Sequence, residues 1–184
     1  SHLAQRQPLE QGAVGQHLHP FAGDPAAVKA KVVPFIGGFL KEKNPETLIA
    51  VAGLLADLKI SENNADLANI YDATTEPKVK AAILPALNQL NYAQIDAIVK
   101  KGMEDKDESV RTVALGLLNN NNVTKESLPV IVNSIFTKGT TREQQKMLEV
   151  LGKMEADKTQ VILSGLIDQL KDKKLSPNLS LELK

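Results

Sequence analysis

The chain has 184 residues with 22 basic and 22 acidic side chains, so it presents no electrostatic footprint for nucleic acid or an anionic membrane surface. Only Arg6, Arg111 and Arg142 are Arg, there is no Trp, and the aromatics are Phe21, Phe35, Phe39, Phe136, Tyr71 and Tyr92, which leaves few forks for phosphate, few platforms for base stacking and few anchors for a tight interface. With no Cys, disulfides, thiolate metal sites, Cys nucleophiles and thioether haem attachment are excluded.

Residues 1–24 hold four Gln, three Gly, two Pro and all three His without periodicity, and read as a linker or N-terminal extension. His17-Leu-His19 supplies two imidazoles, but no third ligand lies close in sequence, so a solvated segment is expected rather than a metal site. The chain opens on Ser1 without Met and shows no signal peptide, and no apolar run approaches the ~18 residues of a membrane span.

From residue 25 onward the apolar residues follow helical spacing. A first helix is expected near 26–42, with Gly37-Gly38 marking a bend. A second follows with Ala50, Val51, Leu54, Leu55 and Leu58 as its stripe. After a helix near 64–73, the segment from Glu76 repeats the stripe as Val79, Ala82, Ile83, Ala86 and Leu87. After another near 92–105, the segment from Asp107 gives Val110, Val113, Ala114, Leu117 and Leu118. After a helix near 124–137, Met147, Val150, Leu151 and Met154 repeat it, with Lys146 out of pattern, and a last helix is expected near 158–173. The stripes recur every 31 to 33 residues, which marks an array of helix pairs, each too small to bury a core alone. Pro45, Thr75, Asp107 and Thr140 stand where caps or first-turn residues belong, and Asn119 to Asn122 read as a turn because Asn tolerates the left-handed conformation. Residues 176–184 look like the start of a further, incomplete element.

Little in this array carries reaction chemistry. No His occurs in it, so a Ser–His–Asp system is excluded there. Glu104, Asp105, Asp107 and Glu108 cluster at one turn, where solvated capping explains them better than cation binding. The three Met residues sit at core positions or helix ends, and Lys171 to Lys174 form a short charge run at a helix C-terminus. No catalytic, cofactor-binding or metal residues are expected, and the chain reads as a non-enzyme. Gly53, Pro85 and Gly116 fall on equivalent positions of the second helices, beside Ala81, Thr112, Asn88 and Asn119. Two explanations stand: close helix packing or curvature that needs little side chain there, or a shallow ridge open to a partner.

The segment Asp107, Val110, Arg111, Ala114, Leu118, with its weaker copy Glu76, Val79, Lys80, Ile83, Leu87, resembles the motif of HEAT repeats, and more closely the short HEAT-like repeats of bacteria. The resemblance covers about residues 26–173. It implies an all-α superhelix, a solenoid of about four to five helix pairs over 25–184 with the last repeat incomplete. It also implies a ladder between repeats to which Asp107/Arg111 and Glu76/Lys80 contribute, while Asn44/Leu48 and Thr140/Gln144 stand in the equivalent places of the first and last repeats. Pro34 and Pro129 match the proline of the family's first helices and are expected to kink them. In such proteins the second helices line the concave face, which places a partner-binding ridge near Lys78, Asn88, Thr112, Asn119, Gln145 and Glu149.

The function this implies is a structural scaffold or protein-interaction module, a monomer that binds protein partners or neighbouring domains of its own chain. Similar arrays occur inside large secreted bacterial proteins between a sugar-dehydrogenase-like propeller and a c-type cytochrome domain. That analogy implies one piece of a longer, secreted or periplasmic protein, with a docking arm of a quinoprotein-type oxidoreductase as the alternative. A tetrapyrrole lyase activity, known among short HEAT-like proteins, is the weaker alternative, because the array lacks Cys and His.

Overall fold

In the computed structural model, residues 24–119, 121–175 and 179 are described, and every regular α or β element among them is an α-helix. These are α1 (Pro25–Phe39), α2 (Pro45–Asp57), α3 (Asn64–Ala73), α4 (Pro77–Gln89), α5 (Ile95–Met103), α6 (Glu108–Gly116), α7 (Ser127–Lys138), α8 (Thr141–Lys153) and α9 (Ala156–Lys171). The expected linker, with His17 and His19, lies outside the described residues, as does the terminal segment except Leu179, whose side chain is buried in the C-terminal core.

The even-numbered helices start with defined chemistry. Asn44 accepts from the backbone N–H of Glu46 and Thr47 with Pro45 at the first helical position. Asp107 accepts from Ser109 N–H. Thr140 and Glu143 close a reciprocal capping box on α8. Thr75 is not a cap, because α4 begins one residue later, with Glu76 as N-cap and the Thr74 hydroxyl accepting from Glu76 N–H at 3.1 Å. Pro129 sits in the first turn of α7, where its missing N–H leaves no bond unmade, whereas Pro34 and Pro85 lie inside α1 and α4. Gly37 and Gly38 occupy the last turn of α1.

The left-handed residues that follow helix ends are Lys59, Asn91 and Lys173, with φ of 52°, 52° and 57°. At α2 the Ile60 N–H reaches back to Leu55 O at 2.9 Å, and at α4 Tyr92 N–H reaches Leu87 O at 3.0 Å, the six-to-one bond that satisfies a terminal carbonyl. The asparagine turn works otherwise than expected. Asn119, Asn121 and Asn122 do not adopt positive φ. Instead Asn119 and Asn122 donate side-chain N–H groups to Leu117 O at 3.2 and 3.1 Å, and Asn122 Oδ1 accepts Asn119 N–H at 2.8 Å, so side chains replace the helix ladder and α6 stops early.

The nine described helices form an α-α solenoid of helix pairs in two layers. The most extensive contacts run α2 to α4 to α6 to α8, and α3, α5 and α7 each pack on the even helix that follows them. Odd helices make no comparable contact with one another. Closer approach within the even layer puts that layer on the inner side of the curvature. Three columns of its residues are buried throughout: Val51, Ile83, Ala114, Met147; Ala52, Leu84, Leu115, Leu148; and Leu55, Leu87, Leu118, Leu151. The middle column was missed by the single-stripe reading. Ala50, Ala82 and Val113, which that reading placed inside, are half-buried or exposed, as is Lys146, the residue out of pattern at the equivalent position of α8. An even helix is covered on both flanks and behind, so its buried arc is wider than, and rotated from, the stripe of an isolated amphipathic helix.

Two core clusters meet at α5 and α6, with Ile98, Val110 and Ala114 in the N-terminal one and Val99, Leu115 and Leu118 in the other. The two helices approach closely at Gly102 of α5, where an added Cβ would lie 2.8 Å from Ala114 Cβ. Urea unfolding should therefore separate three kinds of substitution. Leu87→Ala should cost about 2–5 kcal/mol by leaving a cavity. Gly102→Ala should cost about 1–3 kcal/mol by forcing α5 off α6. Lys78→Ala, at an exposed site, should stay within about 0.5 kcal/mol. Equal losses at all three would mean that the helix faces are assigned wrongly.

Candidate functional site

The column Gly53, Pro85, Gly116 runs along the exposed inner surface of α2, α4 and α6, and Glu149 continues it on α8. Packing does not require the glycines. A Cβ at Gly53 would meet nothing within 4 Å, and one at Gly116 would make ordinary contact with Lys146 Cδ at 3.6 Å. Of the two explanations for this column, close helix packing is therefore excluded at Gly53.

The six residues assigned to the ridge do not form one surface. Lys78 and Glu149 are exposed, and Asn88 and Gln145 are half-buried. Thr112 is buried, its hydroxyl donating to Glu108 O at 2.8 Å one turn back. Asn119 lies beyond the end of α6 and spends both side-chain atoms on the turn. Glu149 sits between Lys146 and Lys153, whose hydrogen bonds lower its carboxyl to about 2, so it is anionic at any ordinary pH.

Repeats are joined by ion pairs to which the basic residues of the expected ladder, Lys80 and Arg111, contribute, while its acidic residues Glu76 and Asp107 are not their partners. Lys80 pairs with Asp105 at 2.7 Å, not with Glu76, and Arg111 pairs with Glu143 at 2.6 Å, not with Asp107. The α8 repeat therefore does take part, through the glutamate of its capping box. The Thr-x-x-Glu spacing from Thr140 was the available signal for it. Arg111 also donates to the carbonyls of Asp105 and Lys106, both at 2.9 Å, clamping the α5–α6 loop. Outside these, the exposed pairs Lys29–Glu62, Lys101–Asp72 and Lys125–Asp157 also bridge successive repeats and contribute little each. Burial alone would raise the carboxyls of Glu143 and Asp105. Arg111 and the Thr140 N–H outweigh it at Glu143, and the Asp107 N–H and Lys80 outweigh it at Asp105, so both sit below the usual carboxylate value.

Beside Lys80 and Asp105 opens a polar cleft of about 830 Å³, with Tyr71, Asp72, Thr74, Lys101 and Glu104 among its walls. Lys80 and Asp105 neutralise each other, and burial together with the charges of Asp105 and Asp72 pushes the Tyr71 phenol up to about 12. The Tyr71 hydroxyl is buried without a hydrogen-bond partner among the described residues, and it lies 3.2 Å from where a Gly102 Cβ would stand. The acidic turn is likewise engaged in structure, since Asp105 binds Lys80, Asp107 caps α6 and Glu108 accepts from the Thr140 hydroxyl at 3.0 Å.

A second concavity, of about 600 Å³, lies in the outer layer between α5 and α7. The sequence reading did not find it. Among the described residues, the large exposed hydrophobic side chains, Val33, Phe35, Phe39, Val130 and Val161, all lie on odd-numbered helices. Among the described residues no helix is long and apolar enough to cross a membrane.

No family model, no curated protein and no solved structure matches the chain. Its class therefore rests on the fold, an all-α solenoid of helix pairs.

Two substitutions probe the buried polar groups. Glu143→Gln should cost about 2–3 kcal/mol at pH 7 by leaving Arg111 without its counter-charge. Because the folded carboxyl is depressed, that contribution is whole above about pH 5 and is lost as pH falls through the folded value, so wild type and variant should converge in acid-unfolding curves. Tyr71→Phe removes an unsatisfied hydroxyl and should be neutral or stabilising by about 1 kcal/mol at pH 7. Since the folded phenol titrates near 12 and a free one near ~10, Tyr71 opposes unfolding fully below the lower value and ceases to as pH rises through the upper one. The advantage of Tyr71→Phe should therefore grow between those values in denaturant titrations.

Proposed function

We propose that this chain is a non-catalytic scaffold or protein-interaction module of the HEAT-like kind, working as a semi-rigid domain of a larger protein and holding protein partners or neighbouring domains at a set distance. A stack in which each unit contacts only its neighbours transmits spacing along its length. The inter-repeat pairs Lys80–Asp105 and Arg111–Glu143 resist shear between units.

The observation that carries the reading is the exposed column of Gly53, Pro85 and Gly116, small residues that helix packing does not demand at Gly53. Gly and Pro inside helices cost about 1 and 3 kcal/mol relative to Ala. A surface that keeps them lets another backbone come close. The groups around it, Lys78, Asn88, Gln145 and Glu149, supply polar contacts without aromatic or Arg anchors, which suits modest affinity.

The test is the double substitution Gly53→Lys with Gly116→Lys, which fills the column without a buried clash. The expected result is an unchanged melting temperature, loss of the protein partners retained by the wild-type chain, and hydrogen-exchange protection of α2, α4 and α6 by partner only in the wild type. Equal partner retention by the variant, or protection confined to odd helices, would overturn the ridge as the binding face.

A further inference from the structure

The groove between α5 and α7 has an apolar floor and one charged lip. Val99 and Leu118 form buried floor, and Met103, Ile131 and Ile135 are half-buried walls. Val130 stands at the edge with 70% of its surface exposed. Asp96 and Lys100 on α5 and Glu104, the residue that caps its C-terminus, line the same groove at four-residue spacing, with alternating sign. All three are exposed, and none has an ion-pair or hydrogen-bond partner for its side chain among the described residues. The opposite wall, on α7, offers Ser127 and Ser134 and no charge.

We propose that this groove is the docking site for an amphipathic α-helix of a protein partner, one that lays an aliphatic stripe on Met103, Val130, Ile131 and Ile135 and carries a basic, an acidic and a basic residue at four-residue spacing against Asp96, Lys100 and Glu104. The charges select the occupant. Unpaired charges on successive turns of one helix match those on successive turns of a second helix alongside it, because both rise about 6 Å over four residues. The backbone argument selects a helix over an extended segment. The N–H and C=O groups of α5 and α7 are used within their own ladders, so a strand in an apolar groove would bury polar groups without partners. A helix brings its backbone already satisfied, which is the usual solution for such grooves. The volume of about 600 Å³ is in the range that holds a few anchoring side chains rather than a whole helix.

The proposal rests on the scaffold reading only in taking a protein as partner, and it uses the opposite layer from the Gly53–Gly116 column. The test uses the full chain and two synthetic helical peptides of the same Leu-rich stripe, one with Lys, Glu, Lys at the flanking positions and one with Glu, Lys, Glu. The expected result is binding of the first peptide at least about tenfold tighter than the second at low salt. Backbone and methyl shifts should be confined to α5, α7 and Leu118. Val130→Asp should abolish binding without lowering the melting temperature. The charge-swapped chain D96K/K100E/E104K should reverse the preference between the peptides. Binding of neither peptide, equal binding of both, an unreversed preference, or shifts on the even helices would each overturn the groove proposal. None of these results touches the Gly53→Lys, Gly116→Lys experiment, so the scaffold reading stands or falls separately.

Discussion

Side-to-side packing of the even helices is the constraint on which everything else depends. No helix pair in this chain has enough apolar surface to enclose a core. Each becomes stable because Ile83 and Leu87 of α4 are buried with Val51 and Leu55 of α2, and because Ala114 and Leu118 of α6 extend the same columns toward Met147 and Leu151 of α8. The hydrophobic term acts between repeats, so the array is cooperative along its length and has no sub-unit that is complete alone. Gly102 marks a place where α5 approaches α6 too closely for a side chain.

The polar contacts arrange themselves around that packing. Lys80 and Arg111 leave α4 and α6 at matching positions and each reaches forward to the next repeat, one finding Asp105 in a loop and the other Glu143 in a capping box. What is repeated is the basic side chain. The acid is whatever carboxylate the following repeat presents within reach. Glu143 then does two things at once, capping α8 through Thr140 N–H and neutralising Arg111, which explains why a charged group sits at 2% exposure. Tyr71 is the opposite case, a hydroxyl enclosed by the same close packing near Gly102 and left without a partner.

The two layers are unequal, and the inequality makes the surfaces. Tight spacing of the even layer forces the odd helices apart, since helices on the outside of a curve must diverge. The concavity between α5 and α7 lies in that outer layer, beside the connection from Leu117 to Glu126 in which asparagine side chains bond the end of α6. The even layer exposes the column Gly53, Pro85, Gly116 and Glu149, while the odd layer presents a groove and exposed aliphatic residues. Partners that approach by backbone suit the first, and partners that insert side chains suit the second.

The repeat period, the helix order and most of the core were legible in the residues, because helical periodicity and capping chemistry are local. Pro45, Asp107 and Thr140 announced helix starts, and Leu87, Leu118 and Leu151 fell on the buried side as their spacing required. Tertiary structure decided what depends on neighbours. A single stripe could not place Leu84 and Leu115 inside, or Ala50 toward solvent, because the buried arc of an even helix is set by the two helices that flank it. The left-handed stops at Lys59 and Asn91 carry no glycine to betray them. The pairing of Arg111 with Glu143 spans 32 residues, and Thr112 and Asn119 left the ridge for reasons of local hydrogen bonding that residue spacing does not encode. Position along a helix is a property of the chain, but which way that position faces is a property of the packed array.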